Sequence, residues 1–343
     1  MPLPDLATLG AADIQPFAAD QMVRCDACLR ANPPTRVNCL YCGGVMPVTE
    51  NSVRLQKPAL RRLETWERGF NTILLPDRER IPTVDELRDL ADFLKLKLEE
   101  LQRIVSNDRP LPVAHAATND EAKLIRNRLN DLGLKAINIP DEQLFLEDRH
   151  IVRIRSATIN DERIIGYQVG GVTGVVFDRN SISLLVVGRL VTKRVEVKER
   201  KSHKSEDEIV NASEFFSDEA ILDIYGSPGS PSCRIESGSF DFSVLGNRKK
   251  LVASENLRTL IGVISEGSPQ AEVNDSYAGV RQTLEPVWPV QQRTQAIGWH
   301  REPLGKYSTT DATESTNENQ FTRYSRLLYH LKLQNSGPPN EQS

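Results

Sequence analysis

The chain has 343 residues, of which 39% are hydrophobic and 26% are charged, and its formal net charge is −4. This composition is that of an ordinary globular protein, and the length is sufficient for two or three domains. The net negative charge argues against a generic nucleic-acid binder, and no apolar run approaches the roughly 18 residues of a membrane span. The first residues show no basic segment before an apolar one, so we expect no secretion signal and a cytoplasmic location.

Two CxxC pairs near the start of the chain form its strongest chemical signature. Cys25 and Cys28 make the first pair, Cys39 and Cys42 make the second, and ten residues separate the pairs. Each CxxC turn places two thiolates on one side of a tight knuckle, and two facing knuckles complete a tetrahedral shell that suits Zn²⁺. We therefore predict one structural zinc ion, which stabilises a segment too small to fold around a hydrophobic core of its own.

The residues between the pairs, CDACLRANPPTRVNCLYCGG, resemble the short zinc-ribbon modules of many bacterial proteins. An Asn-Pro-Pro hairpin lies between the knuckles, and Gly43 follows the second pair, where the backbone often needs a positive φ. Leu29 follows the first pair, where members of this family often carry glycine, so we expect the two knuckles to differ in geometry. The resemblance covers about residues 22–46.

Two other roles for these cysteines have weaker support in the sequence. A redox role for one CxxC is disfavoured because the second pair, at ribbon spacing, already explains the first. Docking of nucleic acid or protein by the ribbon is a further alternative, but the module has only three arginines, which make a weak basic patch. Cys233 is isolated and is predicted to be an unpaired thiol, and reduced thiols beside a zinc site fit a cytoplasm.

After the ribbon, residues 52–145 are predicted to form a helical and ferredoxin-like segment. The spacing of apolar residues predicts a short amphipathic helix from Lys57 to Arg68 and further helices after a Thr83–Glu86 capping box. Two of these helices have the spacing of a DNA-reading helix-turn-helix, but their acidic residues favour simple helical packing.

The stretch PVAHAATNDEAKLIRNRLNDLGLKAINIPDEQL resembles small ferredoxin-like bacterial domains assigned to signal transduction. It predicts a strand near residues 111–117, a helix that begins at a Thr118–Glu121 capping box and ends at Gly133, and a strand over residues 134–139. The connection predicts that the two strands are parallel neighbours. His115, in the first strand, is interpreted as a packed or edge histidine rather than a metal ligand.

Residues 147–285 are predicted to form an antiparallel β domain. Short β-branched runs separated by turn residues indicate about seven strands, and an amphipathic helix near Glu255–Glu266 follows, with Ser254 as its N-cap. This order of elements resembles the pleckstrin-homology-like superfold, in which a terminal helix closes an orthogonal β-sandwich, and the resemblance implies a docking platform. The charged segment 199–208 is interpreted as a solvated loop, with a binding loop for an acidic partner as the alternative.

The last part, residues 286–343, is predicted to be a C-terminal extension with a helix over residues 317–333. Trp288 lies in an irregular stretch expected to cover a domain surface, and residues 308–316 are interpreted as a polar break. A Ser315–Glu318 capping box precedes the helix, whose apolar face must be buried on this chain or on a partner. That face contains Phe321, Tyr324, Leu328 and Leu331.

The sequence as a whole predicts an α+β, multi-domain protein with a flexible N-terminus (residues 1–20), a zinc ribbon (residues 21–46) and the three later regions. No motif of a known catalytic class is present, so the expected function is non-catalytic: regulation or scaffolding through protein–protein contacts in a bacterial cytoplasm. A zinc-ribbon nucleic-acid binder is the alternative, and an enzyme with an unrecognised site is a weaker one. The sequence leaves the partner and the oligomeric state open.

Overall fold

The computed structural model describes residue 17 and residues 21–47, 58–61, 63, 67–144, 151–202, 205–301 and 307–336. Of residues 199–202, 205–210, 299–301 and 307–310 it describes the backbone alone. Nearly all of the N-terminus predicted to be flexible lies outside these ranges. Part of the helix predicted from Lys57 to Arg68 does so too, and its described residues are not helical. Among the described residues, no helix is both long enough and apolar enough to cross a membrane.

The cysteine-rich segment forms a two-stranded sheet. Strand β1 (Val23–Arg24) pairs antiparallel with β2 (Ala31–Asn32). Its small hydrophobic cluster contains Cys25, Cys39 and Met46 as buried residues, so two of the three are cysteines. A core of this size cannot stabilise a fold by hydrophobic burial, which leaves that role to the cysteine cluster.

The next unit has a three-stranded sheet covered by helices. Its elements are β3 (Phe70–Arg78), α1 (Val84–Leu94), α2 (Leu98–Val105), β4 (Leu111–Ala116), α3 (Asn119–Asp131), β5 (Leu134–Pro140) and α4 (Asp141–Leu144). The strand order is β4-β3-β5, and β3 is antiparallel to both neighbours. β4 and β5 are therefore parallel, but the prediction that they are neighbours was wrong, because β3, which the sequence pattern missed, lies between them.

The helix boundaries of this unit follow the predicted caps. At α1 the capping box is complete: Thr83 accepts from the Glu86 N–H, and the Glu86 carboxylate accepts from the Thr83 N–H at 2.8 Å. At α3, Thr118 accepts from the Glu121 N–H, but the buried Glu121 carboxylate instead accepts from the backbone of Ala59 at 2.8 Å. That carboxylate thus attaches the preceding segment to the sheet unit.

The second half of the chain is mostly β. Its elements are β6 (Val152–Arg153), β7 (Ser156–Ile159), β8 (Arg163–Tyr167), β9 (Thr173–Asp178), β10 (Ile182–Ser202), β11 (Ser205–Gly226), β12 (Ser232–Glu236), α5 (Ala253–Glu266), β13 (Glu272–Asn274), α6 (Tyr277–Leu284), β14 (Gln291–Arg301), β15 (Tyr307–Thr316) and α7 (Glu318–Ser336). One sheet has the order β7-β8-β9, and the other has the order β14-β15-β10-β11-β12-β6 with β13 beside β10. The β6–β12 and β13–β10 pairs are parallel, so the larger sheet is mixed.

Helix α5 lies against a core shared by both sheets. Leu257, Leu260 and Ile264 are at most 1% exposed, and they belong to one cluster with residues of β8 to β12. The helix begins at Ala253 after Val252, which offers no side-chain cap, so the predicted Ser254 N-cap was wrong. The chain is a mixed α and β protein with several sheets, and its apolar α5 face covers the open side of the β core.

Strands β10 and β11 continue far beyond this core as a long hairpin. Residues 199–202 and 205–208 belong to these strands, so the charged segment is not a loop over most of its length. Likewise β15 occupies the expected polar break, where it pairs with β10 and β14. We call residues 192–202, 205–220, 291–301 and 307–316 the β arm. Among its residues with described side chains, Ala312 alone is buried.

Helix α7 returns from the β arm into the body of the protein. Of the predicted apolar face, Phe321 and Tyr324 are fully buried, and Leu328 and Leu331 are half-buried against the same core, so this face packs on the chain itself. The expected Ser315–Glu318 box is not formed: the Asn317 side chain instead accepts from the Val191 N–H at 2.7 Å, which joins the helix start to β10.

A buried ion pair fixes the same helix to β11 and β12. Arg234 binds the Asp223 carboxylate with two hydrogen bonds of 2.7 and 2.9 Å, and it donates to Thr322 and Glu318 of α7. Because Arg234 and Asp223 are at most 3% exposed, either charge would be costly to bury alone.

Hydrogen bonds also connect α7 to the three-stranded sheet β4-β3-β5, which we call the first sheet. The Trp288 indole donates to the Asn71 side chain on β3 at 2.9 Å, and the Trp288 carbonyl accepts from Gln320 of α7 at 2.8 Å. Trp288 is 1% exposed. The stretch expected to cover a domain surface thus places this tryptophan inside a core that contains residues of both halves.

Candidate metal centre

The two CxxC knuckles have the same backbone geometry. The Leu29 N–H donates to the Cys25 carbonyl at 2.8 Å, and the Gly43 N–H donates to the Cys39 carbonyl at 3.0 Å. Leu29 has a φ of 58° and Gly43 a φ of 73°. In these two respects the knuckles do not differ as expected, because Leu29 adopts the left-handed conformation that glycine adopts more easily.

These knuckles bring four sulfur atoms together. The Sγ atoms of Cys25, Cys28, Cys39 and Cys42 all lie within 4.8 Å of one another. Cys25 and Cys42 are 3.6 Å apart, and Cys28 and Cys39 are 3.5 Å apart. These distances exceed the roughly 2.05 Å of a disulfide bond and are close to the roughly 3.8 Å between thiolates on a tetrahedral zinc ion. The four predicted residues therefore form a cluster that fits a metal ion such as zinc.

Polar groups around Cys39 favour its thiolate form. The backbone N–H of Tyr41 and the side-chain amide of Asn32 each donate to the Cys39 sulfur at 3.4 Å. Burial alone would raise the pKa of Cys39, but these donors and the backbone of Cys42 lower it to about 6. A thiolate is the form that binds a metal, so this knuckle is prepared for one.

Cys42, the last cysteine of the cluster, has a raised pKa instead. The backbone of Gly44 lowers the pKa of Cys42, but the neighbouring sulfur atoms of Cys25 and Cys28 outweigh it and raise this pKa to about 12. Thiolates this close repel one another unless a cation lies between them. A divalent metal ion supplies that charge and deprotonates the remaining ligands.

Asn32 belongs to the Asn-Pro-Pro signal, but no role at the site was predicted for it. It is fully buried, and its side chain accepts from the Leu40 N–H at 2.8 Å while it donates to Cys39. The Asn-Pro-Pro signal therefore marks a residue that ties the hairpin to the second knuckle. Such support orients a metal ligand from outside the ligand shell.

The outer surface of the ribbon is partly apolar. Leu29, Leu40, Tyr41 and Val45 are between 55% and 71% exposed. The Arg30 guanidinium lies 4.9 Å from the Tyr41 ring centre, within the range of a cation–π contact. On another side, Thr118 donates to the Asn38 side chain at 3.4 Å, a contact between the ribbon and α3.

A second group of titratable side chains surrounds Asp141. Its buried carboxylate accepts from the Gly69 N–H at 2.9 Å, from Asn71 at 3.0 Å and from His115 at 2.8 Å. Burial would raise the pKa of Asp141, but the hydrogen bond and charge of His115, together with Asn71 and Arg323, lower it to about 2. His115 is 13% exposed and lies within this network, as expected of a packed histidine.

His115 also borders a cavity of about 760 Å³ between the first sheet and α7. Its described lining includes Arg61, Lys95, Trp288 and Arg323, but no hydroxyl, thiol or carboxylate side chain. The described residues thus offer His115 no nucleophile to activate there. The Asp141 network joins β3, β4 and the start of α4, and Arg323 of α7 lies 4.0 Å from the same carboxylate.

The fifth cysteine, Cys233, is fully buried in β12 and is not part of the metal cluster. Burial and the nearby Asp223 charge raise the pKa of its thiol well above the usual range. A neutral, buried thiol reacts poorly with oxidants and electrophiles, which fits the predicted unpaired cysteine.

No protein-family model matches the chain, and neither a curated protein nor a solved structure matches it.

Proposed function

We propose that this protein is a non-catalytic scaffolding or regulatory protein that acts through protein–protein contacts. The observation that carries the proposal is the β arm, a sheet whose described side chains, apart from Ala312, are all exposed or half-buried. The arm contributes one buried side chain among those described, so hydrophobic burial within the chain does not account for its length. Extended sheets without a covering layer are suited to binding another polypeptide.

Large apolar side chains on the β arm support this proposal. Phe215 is 56% exposed, Phe216 is 66% exposed and Ile297 is 50% exposed. Exposed aromatic residues stabilise complexes because they bury a large area at a small cost in conformational entropy. The surrounding side chains are mainly Thr, Ser, Gln and charged residues, which keep the free protein soluble while an apolar contact remains available.

We further propose that the metal ion is zinc and that its role is structural. Four thiolates fill a tetrahedral shell and leave no position for a substrate or a water nucleophile, which is typical of structural zinc. The proposal includes the zinc ribbon at residues 21–46 and the ferredoxin-like and pleckstrin-homology-like regions that follow it. A bacterial cytoplasm is the setting in which we expect these thiols to stay reduced.

Metal analysis of the purified full-length protein tests the zinc assignment. After expression in zinc-replete medium we expect one zinc ion per chain, and we expect the four ribbon thiols to resist alkylation until a chelator is added. Less than half an equivalent of zinc, together with four freely reactive ribbon thiols, would overturn it.

Cross-linking in lysate of the native host tests the interaction proposal. Lys193 and Lys198 lie on the β arm, so an amine-reactive cross-linker should join them to another polypeptide, which mass spectrometry identifies. We expect intermolecular cross-links at these two lysines, and Lys249 and Lys250, outside the arm, serve as the control. Intermolecular cross-links that occur elsewhere but not on the arm would contradict the proposal.

A further inference from the structure

The β arm has two open edges. One is β11 over residues 205–219, which pairs with β10 on one side, since β12 begins to pair only at Ile221 and the Ser237 N–H reaches only as far as the Ala220 carbonyl. The other is β14, which pairs with β15. Within the described part of the chain no further strand covers either edge. Each edge therefore presents a row of free backbone donors and acceptors, which is a template for another strand.

The strand directions make these two edges compatible with each other. Every neighbouring pair in the order β14-β15-β10-β11 is antiparallel, so β14 and β10 run one way and β15 and β11 run the other way. If a second arm is placed beside the first in the same orientation, its β14 lies antiparallel to β11. The four-stranded pattern then continues without a break and without turning either sheet over.

The charges of the two edges are complementary. Residues 205–220 include six acidic residues and no basic one, whereas β14 includes two arginines and no acidic residue. Pairing of like edges would place like charges opposite one another, which is unfavourable, and pairing of unlike edges is favoured. The Glu214 carboxylate forms an ion pair of 2.9 Å with Lys193. Lys193 lies on β10, the strand next to this edge, so β10 positions an acidic side chain of the edge.

Apolar side chains lie beside the same edges. Phe215 and Phe216 are consecutive in β11, so their rings lie on opposite faces of the arm. Ile297 is exposed on β14. A strand added to β11 would cover part of both aromatic rings, because side chains of neighbouring strands are in contact on each face.

We propose that a second copy of this chain binds head to tail, with β14 of one copy added to the β11 edge of the next. The inference rests on the proposed function and names its partner. Because the two paired edges differ, each copy keeps one open edge of each kind, and the assembly forms either a closed ring or a filament.

The hydrogen-bond pattern identifies a residue whose N–H would form the new ladder on β11. The Ala220 carbonyl accepts from Ser237 on the side away from β10. The register with β10 is regular from Ala220 to Ala212, and backbone groups alternate in direction along a strand. The Ala212 N–H therefore lies on the open side of β11.

The same reasoning applies to β14. The Val191 carbonyl accepts from the Asn317 N–H on the side of β10 away from β11. Val195 lies four residues further along β10, so its backbone N–H and carbonyl point to the same side, toward β15. Val195 pairs with Thr313, which in turn pairs with Thr294. The backbone groups of Thr313 therefore face β10 and not β14. Those of Thr294 then face away from β15, which leaves the Thr294 N–H on the open side of β14.

Proline at these positions removes one outward N–H and no hydrogen bond within the arm, a substitution that edge strands tolerate. The test uses the full-length, zinc-loaded chain with Ala212→Pro or Thr294→Pro, and Ala212→Thr and Thr294→Val are controls that keep the N–H. Mass is measured by light scattering and sedimentation at low ionic strength over a wide range of concentration. Circular dichroism establishes that each variant is folded.

We expect the wild type and both controls to form species larger than one chain, and we expect dissociation as salt is raised. Each proline variant alone should remain monomeric, because every pairing needs both edges intact. An equimolar mixture of the two should form a one-to-one dimer, since one variant supplies an intact β11 and the other an intact β14.

Arg293→Glu is a second route that does not depend on tolerance of proline. It places a carboxylate on β14 beside the acidic edge, and we expect at least tenfold weaker assembly. A monomeric wild type at all concentrations, or unchanged assembly of the proline or glutamate variants, overturns the inference. If a monomeric chain still cross-links through Lys193 and Lys198 to a different protein, the proposed function stands and self-assembly alone is lost.

Discussion

At the scale of single residues, Leu29 shows how a metal site can impose a backbone conformation. Its φ of 58° equals that of a left-handed turn, which costs a residue with a Cβ atom about 1 kcal/mol or more. Its side chain is 71% exposed, so packing does not repay this cost. Gly43 occupies the corresponding position after the second CxxC pair and also has a positive φ, so this conformation belongs to the CxxC turn.

Leu29→Gly should therefore strengthen metal binding. Removing the strain, after allowance for the greater chain entropy of glycine, is expected to gain about 1 kcal/mol, or roughly fivefold in affinity. Competition with a chromogenic chelator measures this gain. Leu29→Ala keeps the Cβ atom and should resemble the wild type, and a Leu29→Gly affinity no higher than that of Leu29→Ala would contradict the explanation.

At the scale of elements, helix α5 is the cover of the second core. Leu260 is fully buried among residues of both sheets, whereas Arg258, two positions earlier, is exposed. The apolar spacing in the sequence identified this face correctly, although the helix begins at Ala253 without the expected cap.

Leu260→Asp should unfold this core in the full-length chain. The substitution buries an unpaired carboxylate, which costs several kcal/mol. Thermal melting followed by circular dichroism measures the loss, and Arg258→Asp, with the carboxylate on the exposed side, is the matched control. Equal melting temperatures for the two variants would mean that α5 is peripheral to the core.

Sequence patterns found the elements that have an apolar face and missed those that have none. The helices with Leu87 and Ile125 and the strands around Ile164 and Ile224 each bury one side, so their periodicity is visible. The outer part of β11 and strands β14 and β15 carry no regular alternation of apolar residues and were missed, whereas Val195 and Val197 of outer β10 alternate with charged residues and indicated a strand. β3 was missed for the opposite reason: it is a short buried run, FNTILLPDR, without alternation.

At the scale of the whole molecule, the metal cluster and the two large cores are separate. The ribbon core contains Cys25, Cys39 and Met46, and none of these residues belongs to the other clusters. The clustering of the four cysteines could be predicted from the sequence because CxxC spacing is local. The Asp141 network and the Arg234–Asp223 pair could not, because they join residues that only the tertiary fold brings together.

Cys39→Ser should accordingly release the metal and unfold the ribbon while the rest of the chain stays folded. Zinc analysis and limited proteolysis are expected to show loss of metal and rapid cleavage within residues 21–47, with the main thermal transition preserved. Cys233→Ala, which changes a buried cysteine outside the cluster, should keep its zinc. A Cys39→Ser chain whose main transition also disappears would show that the ribbon and the cores fold as one unit.

The hydrogen bond from Trp288 to Asn71 has a consequence for the order of folding. It joins residues 217 positions apart, and it lies in a core that combines the first sheet with α6 and α7. During synthesis the first sheet emerges long before Trp288 does, so this core is completed only when most of the chain has left the ribosome. Contacts of such long sequence separation slow folding, because a large loop must close before they form. Until the C-terminal helix arrives, the apolar surface that this helix covers stays open on the nascent N-terminal half.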